Sequence, residues 1–298
     1  MSHILLVERF GGRKLKFRGA EYYYLKMATH YIEVPYYQHK RRVRILLPKD
    51  YEAGTDKRYP VLYMHDGQNV FYSKEAYSGY SWKVIPTIKQ HPDLEQMIVV
   101  GIDNAGEQRL DEYGPWPVDQ TQLTEKFEAG GDGRMYGQWL VETLKPWVDQ
   151  HYRTRPEAAT TLMAGSSMGG IITAYIGAAY PEVFGHLGIY SLASWFSEPA
   201  FLSYIARHSL NSDTHVYLQV GTNEGNSGDE AFLEESQMNQ AYIDATLNYY
   251  QTLLRAGHPV DQILLRITSG GTHHEKVWAD HFKEFLEFSQ VKLKTKYD

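Results

Sequence analysis

The chain of 298 residues contains no cysteine. A protein without thiols forms no disulfides, zinc fingers or iron–sulfur clusters, and it uses no cysteine nucleophile. Because a chain of this length can bury roughly three quarters of its unfolded surface, it needs no metal or disulfide to stabilise a core. The remaining composition, with 43% hydrophobic and 22% charged residues, is typical of globular proteins and excludes disordered and collagen-like classes.

Long apolar runs and a strong excess of one charge are also absent. No run approaches the length of about 18 apolar residues that a transmembrane helix needs. The apolar residues 4–7 are interrupted by Glu8 and Arg9, unlike an export signal. The net charge of −6 provides no field that attracts nucleic acid or an anionic membrane. We therefore expect a cytoplasmic protein that binds neither nucleic acid nor a membrane. The sequence does not decide whether the protein forms a homo-oligomer.

Short apolar runs alternate with helical patterns from about residue 40 onward. Strands are predicted at 43–47, 61–64, 97–102, 160–164, 187–191, 216–220 and 263–267. Most of these runs are continuously apolar, as is typical of strands buried on both faces of a parallel sheet. Helices are predicted at 134–152, 171–179, 238–256 and 276–289, with a kink at Pro146 in the first.

This alternation predicts a doubly wound α/β fold, with a mostly parallel sheet, in a single domain over residues 1–298. Residues 1–40 fit the alternation less well. Their tyrosine-rich runs at 22–24 and 36–37 predict antiparallel edge strands. In the basic run 40–44, we expect the valine side chain to face the core and the arginines to face water.

A G-x-S-x-G motif at 165–169 places Ser167 at its centre. The motif follows an apolar run and precedes a helical pattern, which is the setting of a nucleophile elbow. Ser166 occupies the first variable position and is therefore not the nucleophile. The N–H of Met168, at the start of the helix, is the first candidate for stabilising an oxyanion. The alternative is an ordinary turn rich in small residues.

A nucleophilic serine needs a base, and the base needs an acid that orients it. His273 is the favoured base, since it lies between the last predicted strand and the last helix; His274 is its competitor. Glu224 follows the predicted strand 216–220 and is the favoured acid, with Asp229 as the alternative. The order serine, acid, histidine is that of α/β-hydrolases. The cluster 273–275 lacks metal-ligand spacing, so we expect neither a metal nor another cofactor.

A polar loop after the strand at 61–64 is expected to supply the second oxyanion donor. Gly67 permits close approach of the backbone, and the N–H of Gln68 is the candidate donor. His65 is expected to hold this loop by hydrogen bonds rather than to act in catalysis.

Four groups of motifs occur in a fixed order along the chain. They are MHDGQNVF at 64–71, IDN at 102–104 with RLDEY at 109–113, GSSMGG at 165–170, and GGTH at 270–273 with Trp278. Over about residues 30–290 they resemble the putative esterase family of α/β-hydrolases. That family includes esterase D (the S-formylglutathione hydrolases), feruloyl and acetyl esterases, siderophore esterases and mycolyltransferases.

The resemblance implies an α/β-hydrolase fold with Ser167 as nucleophile, His273 as base and Glu224 as acid, where many relatives carry aspartate. We expect a serine carboxylesterase that acts on small acyl esters of acetyl, short-chain or hydroxycinnamoyl type. A thioesterase like S-formylglutathione hydrolase would use the same machinery. The alternative from another class is a non-catalytic binding protein on a hydrolase scaffold, which the complete set of three residues argues against.

Aromatic and charged residues in the predicted loops are candidates for substrate binding. They are Trp82, Arg109, Glu112, Trp116 and Trp195. Such residues would suit a cleft for a sugar or an aryl group. The aromatic members are equally typical of an aromatic-rich core, because the chain contains 24 tyrosines and 6 tryptophans.

Overall fold

The computed structural model describes residues 16–17, 20–21, 25–53, 56–122, 127–226 and 235–293. The described residues form a main sheet and a separate antiparallel pair, Lys16–Phe17 with Ala20–Glu21. The strands of the main sheet are β1 (Met27–Val34), β2 (His39–Leu46), β3 (Val61–Met64), β4 (Ile98–Ile102), β5 (Thr161–Ser166), β6 (His186–Tyr190), β7 (His215–Asn223) and β8 (Ile263–Thr272).

The main sheet has the spatial order β8-β7-β6-β5-β3-β4-β2-β1. Strands β3 to β8 run parallel, whereas β2 is antiparallel to both β1 and β4. The prediction of a mostly parallel sheet with an antiparallel N-terminal edge is therefore confirmed.

Helices cover both faces of the sheet. They are α1 (Val84–Gln90), α2 (Arg109–Tyr113), α3 (Gly133–Trp139), α4 (Lys145–His151), α5 (Met168–Ala179), α6 (Glu198–Arg207), α7 (Glu235–Arg255) and α8 (Glu275–Leu293). Short 3-10 turns lie at Gly67–Asn69, Gly106–Gln108, Gln120–Gln122, Ala158–Thr160, Ser194–Ser197, Glu224–Asn226 and Val260–Gln262. Within the described part of the chain, no helix is long and apolar enough to cross a membrane.

Two buried clusters, one on each face, hold the helices to the sheet. Along β3, Val61 and Tyr63 belong to the cluster that includes residues of α3 to α7. Their neighbours Leu62 and Met64 belong to the cluster that includes residues of α1 and α8. Successive side chains of a strand point to opposite faces, so a continuously apolar strand fits between two layers of helices.

The predicted N-terminal edge strands need correction in their positions. The edge strand β1 is Met27–Val34, and Tyr36 and Tyr37 lie in the turn between β1 and β2. Both phenol groups are anchored, since Tyr36 donates to Glu112 and Tyr37 donates to Asp132. The two tyrosines thus hold the turn of the β1–β2 hairpin against α2 and the start of α3. The run at 22–24 lies outside the described residues.

The helix predicted over 134–152 is divided by a π-helical segment, Leu140–Leu144, between α3 and α4. Pro146 lies at the start of α4. Proline has no N–H and its ring crowds the carbonyl four residues earlier, so regular α-helical hydrogen bonding cannot continue through it. The wider π turn accommodates the proline at this point.

The arginines of β2 do not face water as expected. Arg41 is 2% exposed and Arg44 is 3% exposed, whereas Arg42 is half-buried. The strand is flanked by β1 and β4, and carboxylates from α2 and from the loop after β4 pair with the guanidinium groups. Arg41 donates to both oxygens of Glu112, at 2.7 and 2.8 Å. A buried charge requires such a partner, and the charge pattern alone did not reveal it.

Substituting Glu112 with glutamine should lower the free energy of unfolding by roughly 3–5 kcal/mol, because it leaves the Arg41 guanidinium buried without a counter-charge. Chemical denaturation followed by tryptophan fluorescence measures the change.

The matched control is Glu33→Gln in the same hairpin. Glu33 pairs with Lys40 at 3.1 Å, and both side chains are more than half exposed. Water screens an exposed pair, so this variant should lose no more than about 1 kcal/mol. Equal losses in the two variants would contradict the assignment of Arg41 and Glu112 as a buried pair.

Candidate active site

Ser167 lies in a strained turn between β5 and α5. Its φ of 58° and ψ of −123° are unfavourable for a residue with a side chain, and such strain costs on the order of 1–3 kcal/mol. The turn is possible because its neighbours are small. A Cβ atom on Gly165 would lie 2.4 Å from the Gly169 carbonyl oxygen. The G-x-S-x-G motif therefore forms the sharp strand-to-helix turn that the sequence predicts.

The side chains of His273 and Glu224 are joined by a hydrogen bond. The Nδ1 atom of His273 lies 2.8 Å from Oε2 of Glu224, and the Glu224 side chain is fully buried. Glu224 follows β7, and His273 follows β8, so the two strand ends bring them together. The competing histidine, His274, instead accepts a hydrogen bond from the Lys276 N–H at its Nδ1.

The second carboxylate oxygen of Glu224 is held by donors that sequence reasoning missed. Its Oε1 accepts hydrogen bonds from the Ser191 hydroxyl, at 2.8 Å, and from the Gly221 N–H, at 2.5 Å. Ser191 follows β6 and has a positive φ of 44°. Its position just beyond a parallel strand was the available signal. With both oxygens occupied, the carboxylate cannot rotate away from the imidazole.

Aromatic rings enclose the imidazole of His273. The Trp278 ring meets it edge-on, with centroids 5.1 Å apart, and the Tyr242 ring lies 4.6 Å away. The Trp278 indole N–H also donates to the Ser191 hydroxyl at 2.8 Å. One tryptophan thus packs against the imidazole and supports the hydroxyl that holds Glu224.

The candidate oxyanion donors begin two helical turns. Gln68 lies in the 3-10 turn Gly67–Asn69, and Met168 is the first residue of α5. The first N–H groups of a helix have no partner within the helix and are available to an anion. A Cβ on Gly67 would lie 2.7 Å from main-chain atoms of β4, so only glycine permits this approach.

Asp66 and His65 fix the start of the Gly67–Asn69 turn. Arg109 donates to both Asp66 oxygens, at 2.7 and 2.8 Å, and the Asn104 side chain donates to one of them. Burial acts to raise the pKa of Asp66, but the Arg109 charge together with the hydrogen bonds from Arg109 and Asn104 holds that pKa below its usual range. Burial lowers the pKa of His65 to about 4, although Asp66 opposes this. Near pH 7 His65 is therefore neutral, and its Nδ1 is 2.8 Å from the Tyr136 hydroxyl.

These elements surround a cleft of about 860 Å³. Among the predicted residues, Ser167, His273, Gln68 and Arg109 line it, together with the competitor His274. Glu224 lies behind His273, and Met168 is buried next to Ser167. The other lining residues are Asp66, Asn69, Glu75, Tyr77, Ser78, Asn104, Gly106, Glu107, Ser166, Glu275 and Trp278. In the described part of the chain, no group of three or more acidic and histidine side chains is arranged to hold a metal ion.

Four of the predicted substrate-binding residues are not among the residues that line this cleft. Trp82 is 2% exposed and stacks on Trp278 in the core. Trp195 is buried against Tyr242, and Trp116 packs against aromatic residues of α5 and α6. Glu112 is fully buried with Arg41. Trp82 and Trp195 thus belong to the core and Glu112 to an ion pair, and Arg109 alone of the five predicted residues lines the described cleft. Asp229, the alternative acid, lies outside the described residues.

Comparison with known proteins identifies relatives over most of the chain. The family described as putative esterase matches residues 35–288. The uncharacterized protein YbbA of Bacillus subtilis (strain 168) is 28% identical over 250 residues, which are 83% of this chain and 92% of YbbA.

Solved structures share the fold at low sequence identity. A ferulic acid esterase has a TM-score of 0.66 and 17% identity, covering 90% of this chain and 100% of that one. The siderophore hydrolase EstA from Aspergillus nidulans has a TM-score of 0.68 and 16% identity, covering 88% and 95%.

The pairing of His273 with Glu224 predicts an NMR signal. A proton held between an imidazole nitrogen and a carboxylate is strongly deshielded, so proton NMR in water should show a far-downfield resonance. Glu224→Gln should remove it, because the amide carries no charge. Asp229→Asn should leave it unchanged, and the reverse pattern would move the acid to Asp229.

Proposed function

The chain belongs to the putative esterase family and is a carboxylic ester hydrolase, and we propose that it is a serine carboxylesterase acting on small acyl esters. In this proposal Ser167 is the nucleophile, His273 the base and Glu224 the acid. The observation that carries it is the 2.8 Å contact between His273 Nδ1 and the buried Glu224, beside the strained Ser167 turn in one cleft.

The proposed acylation step follows from this arrangement. Ser167 Oγ forms a bond to the ester carbonyl carbon while its proton passes to Nε2 of His273. The carbonyl electron pair moves onto oxygen, where the N–H groups of Gln68 and Met168 are the proposed donors. Collapse of this intermediate breaks the bond to the alcohol, which leaves with the proton from His273.

Water then completes the proposed cycle. His273 takes a proton from water, whose oxygen bonds to the acyl carbon of the Ser167 ester. Collapse of the second intermediate releases the acid and returns the proton to Ser167. Throughout, Glu224 keeps the proton-bearing Nδ1 of the imidazole directed inward and stabilises the imidazolium.

The lining of the cleft supports a compact, uncharged acyl group. Four carboxylates line the described cleft. Asp66 pairs with Arg109 and Glu75 pairs with Arg44, so the excess negative charge comes from Glu107 and Glu275. An ester that carries its own carboxylate would meet a negative field here. Tyr77 is 95% exposed beside the cleft while its N–H is held by Asn69, so its ring offers a surface for a planar hydroxycinnamoyl group.

Ser167→Ala should lower kcat by about 10⁶-fold while the protein stays folded, since loss of a triad nucleophile has that magnitude. A fluorophosphonate probe should label the native protein at Ser167, as peptide mass spectrometry can verify. Ser166→Ala should have a far smaller effect on turnover. Labelling at Ser166, or a Ser167→Ala variant that still turns over ester, would refute the proposed nucleophile.

Short neutral esters should be the better substrates because the lining of the cleft is polar and acidic, which suits neither a long apolar chain nor a carboxylate. 4-Nitrophenyl butyrate should have a higher kcat/KM than the laurate ester. The kcat/KM for the butyrate ester should also exceed that for the 4-nitrophenyl monoester of succinic acid. That ester matches butyrate in chain length but adds a carboxylate.

The effect of charge can be tested separately by varying the ionic strength. Salt screens the field of the cleft, so the advantage of butyrate over succinate should shrink as salt is raised. A preference for laurate with activation at an oil interface would overturn the argument from the polar lining. A preference for the succinate ester would overturn the charge argument.

A further inference from the structure

Arg44 reaches from β2 to the turn that carries the proposed oxyanion donor. Its side chain is 4% exposed. One terminal nitrogen donates to Glu75 at 3.0 Å, and the other donates to Asp103 at 3.1 Å. That second nitrogen also donates to the carbonyl oxygen of Gly67. A buried guanidinium therefore bonds directly to the main chain of the Gly67–Asn69 turn.

The Gly67 carbonyl and the Gln68 N–H belong to the same peptide group. Resonance couples the two ends of a peptide, so electron density drawn toward the oxygen leaves the nitrogen more positive. Hydrogen bonds in series strengthen one another for this reason, by roughly 10–30% per bond. A charged donor in a water-poor setting polarises its acceptor most strongly.

We propose that Arg44 is a positioning residue of the oxyanion hole, which holds and polarises the Gly67–Gln68 peptide so that the Gln68 N–H becomes a stronger donor. The inference rests on the proposed function, because it assigns Gln68 to the oxyanion. No proton is transferred. As negative charge develops on the substrate oxygen, electron density in the peptide shifts toward the Gly67 oxygen, where the Arg44 charge stabilises it.

The contacts of the neighbouring Arg42 allow the proposed role of Arg44 to be distinguished from simple neutralisation of Glu75 and Asp103. Arg42 donates to Asp103 at 2.6 Å and lies 3.6 Å from Glu75, so it shares both acidic partners of Arg44. The two arginines and two carboxylates together are neutral. Of the two guanidinium groups, that of Arg44 is the one whose hydrogen bond reaches Gly67. Arg42 thus provides a matched control on the same strand.

The turn is also fixed in other ways, so Arg44 is not its sole support. The Gly67 oxygen accepts a second hydrogen bond from the Val70 N–H at 3.1 Å. The Gln68 side-chain oxygen accepts from the Asn104 N–H at 3.2 Å. Loss of Arg44 should therefore weaken the Gln68 donor while the turn keeps its path.

The test compares an ester with its thiono analogue, in which the carbonyl oxygen is replaced by sulfur. Sulfur is a weak hydrogen-bond acceptor, so the thionoester gains little from the Gln68 donor. Arg44→Met should lower kcat/KM for the ester about tenfold, a fraction of the 10²–10³ lost with a whole oxyanion donor. For the thionoester it should change by less than about twofold. The fall should be in kcat rather than in KM.

The ratio of the two rates is measured on one preparation, so the fraction of folded protein cancels. Arg44→Lys keeps the buried charge near Glu75 and Asp103 but is too short and lacks the fork that reaches Gly67, so its ratio should also fall. Arg42→Gln should leave the ratio at the native value. Titration with a fluorophosphonate counts the active sites of each variant.

The outcomes distinguish the inference from the proposed function. If Arg44→Met and Arg44→Lys lose activity equally on both substrates, Arg44 has only a structural role and the inference is wrong. An equal fall of the ratio in Arg42→Gln would also overturn it, since charge balance would then be the cause. If the native protein fails to cleave the ester, or Ser167→Ala cleaves it equally well, the proposed function itself fails.

Discussion

Six parallel strands, β3 to β8, end at the same edge of the sheet, and the chain must reverse direction just beyond each of them. The polar groups of the site are carried by these reversals. Gln68, Asn104, Ser167, Glu224 and His273 follow β3, β4, β5, β7 and β8. Strands β3 to β6 are buried along their whole length, so side chains that must reach the cleft are carried mainly by the turns beyond the strands. The site therefore depends on parallel pairing more than on any single contact, because the pairing sets the distance between the loops.

Loops at a sheet edge lack the hydrogen-bond ladders that hold strands, and here buried and half-buried arginines that pair with carboxylates supply the missing restraint. Arg109 holds Asp66 at the start of the Gly67–Asn69 turn, and Arg44 holds the carbonyl within it. Arg41 binds Glu112 in α2, which follows the loop after β4. Burying these charges is unfavourable on its own, and each is tolerated because the guanidinium donates hydrogen bonds to a nearby carboxylate. Removing one partner should therefore destabilise the fold far more than replacing the whole pair with well-packed apolar residues.

Much of this arrangement could be predicted from the sequence because it follows from local rules. Continuous apolar runs indicated the parallel strands, and small residues around Ser167 indicated a sharp turn. The burial of Trp82, Glu112 and Arg44 could not be predicted, because it depends on partners far away in the chain. A tryptophan in a predicted loop suits a cleft wall and a core equally well. The partner of Glu112 lies 71 residues earlier, and no periodic pattern connects the two.

Preorganisation unites the strained turn, the buried carboxylate and the buried arginines. Charge that develops during ester attack is stabilised best by dipoles that need not reorient, since water must first reorganise to do the same. Strain at Ser167 and buried charge at Arg44 both lower the stability of the fold, and in the proposed mechanism they hold the nucleophile and a dipole at fixed positions. The surrounding core of two helical layers supplies the stability that offsets these costs. The least favourable features of the folded chain are thus concentrated where fixed geometry has the greatest effect on reaction rate.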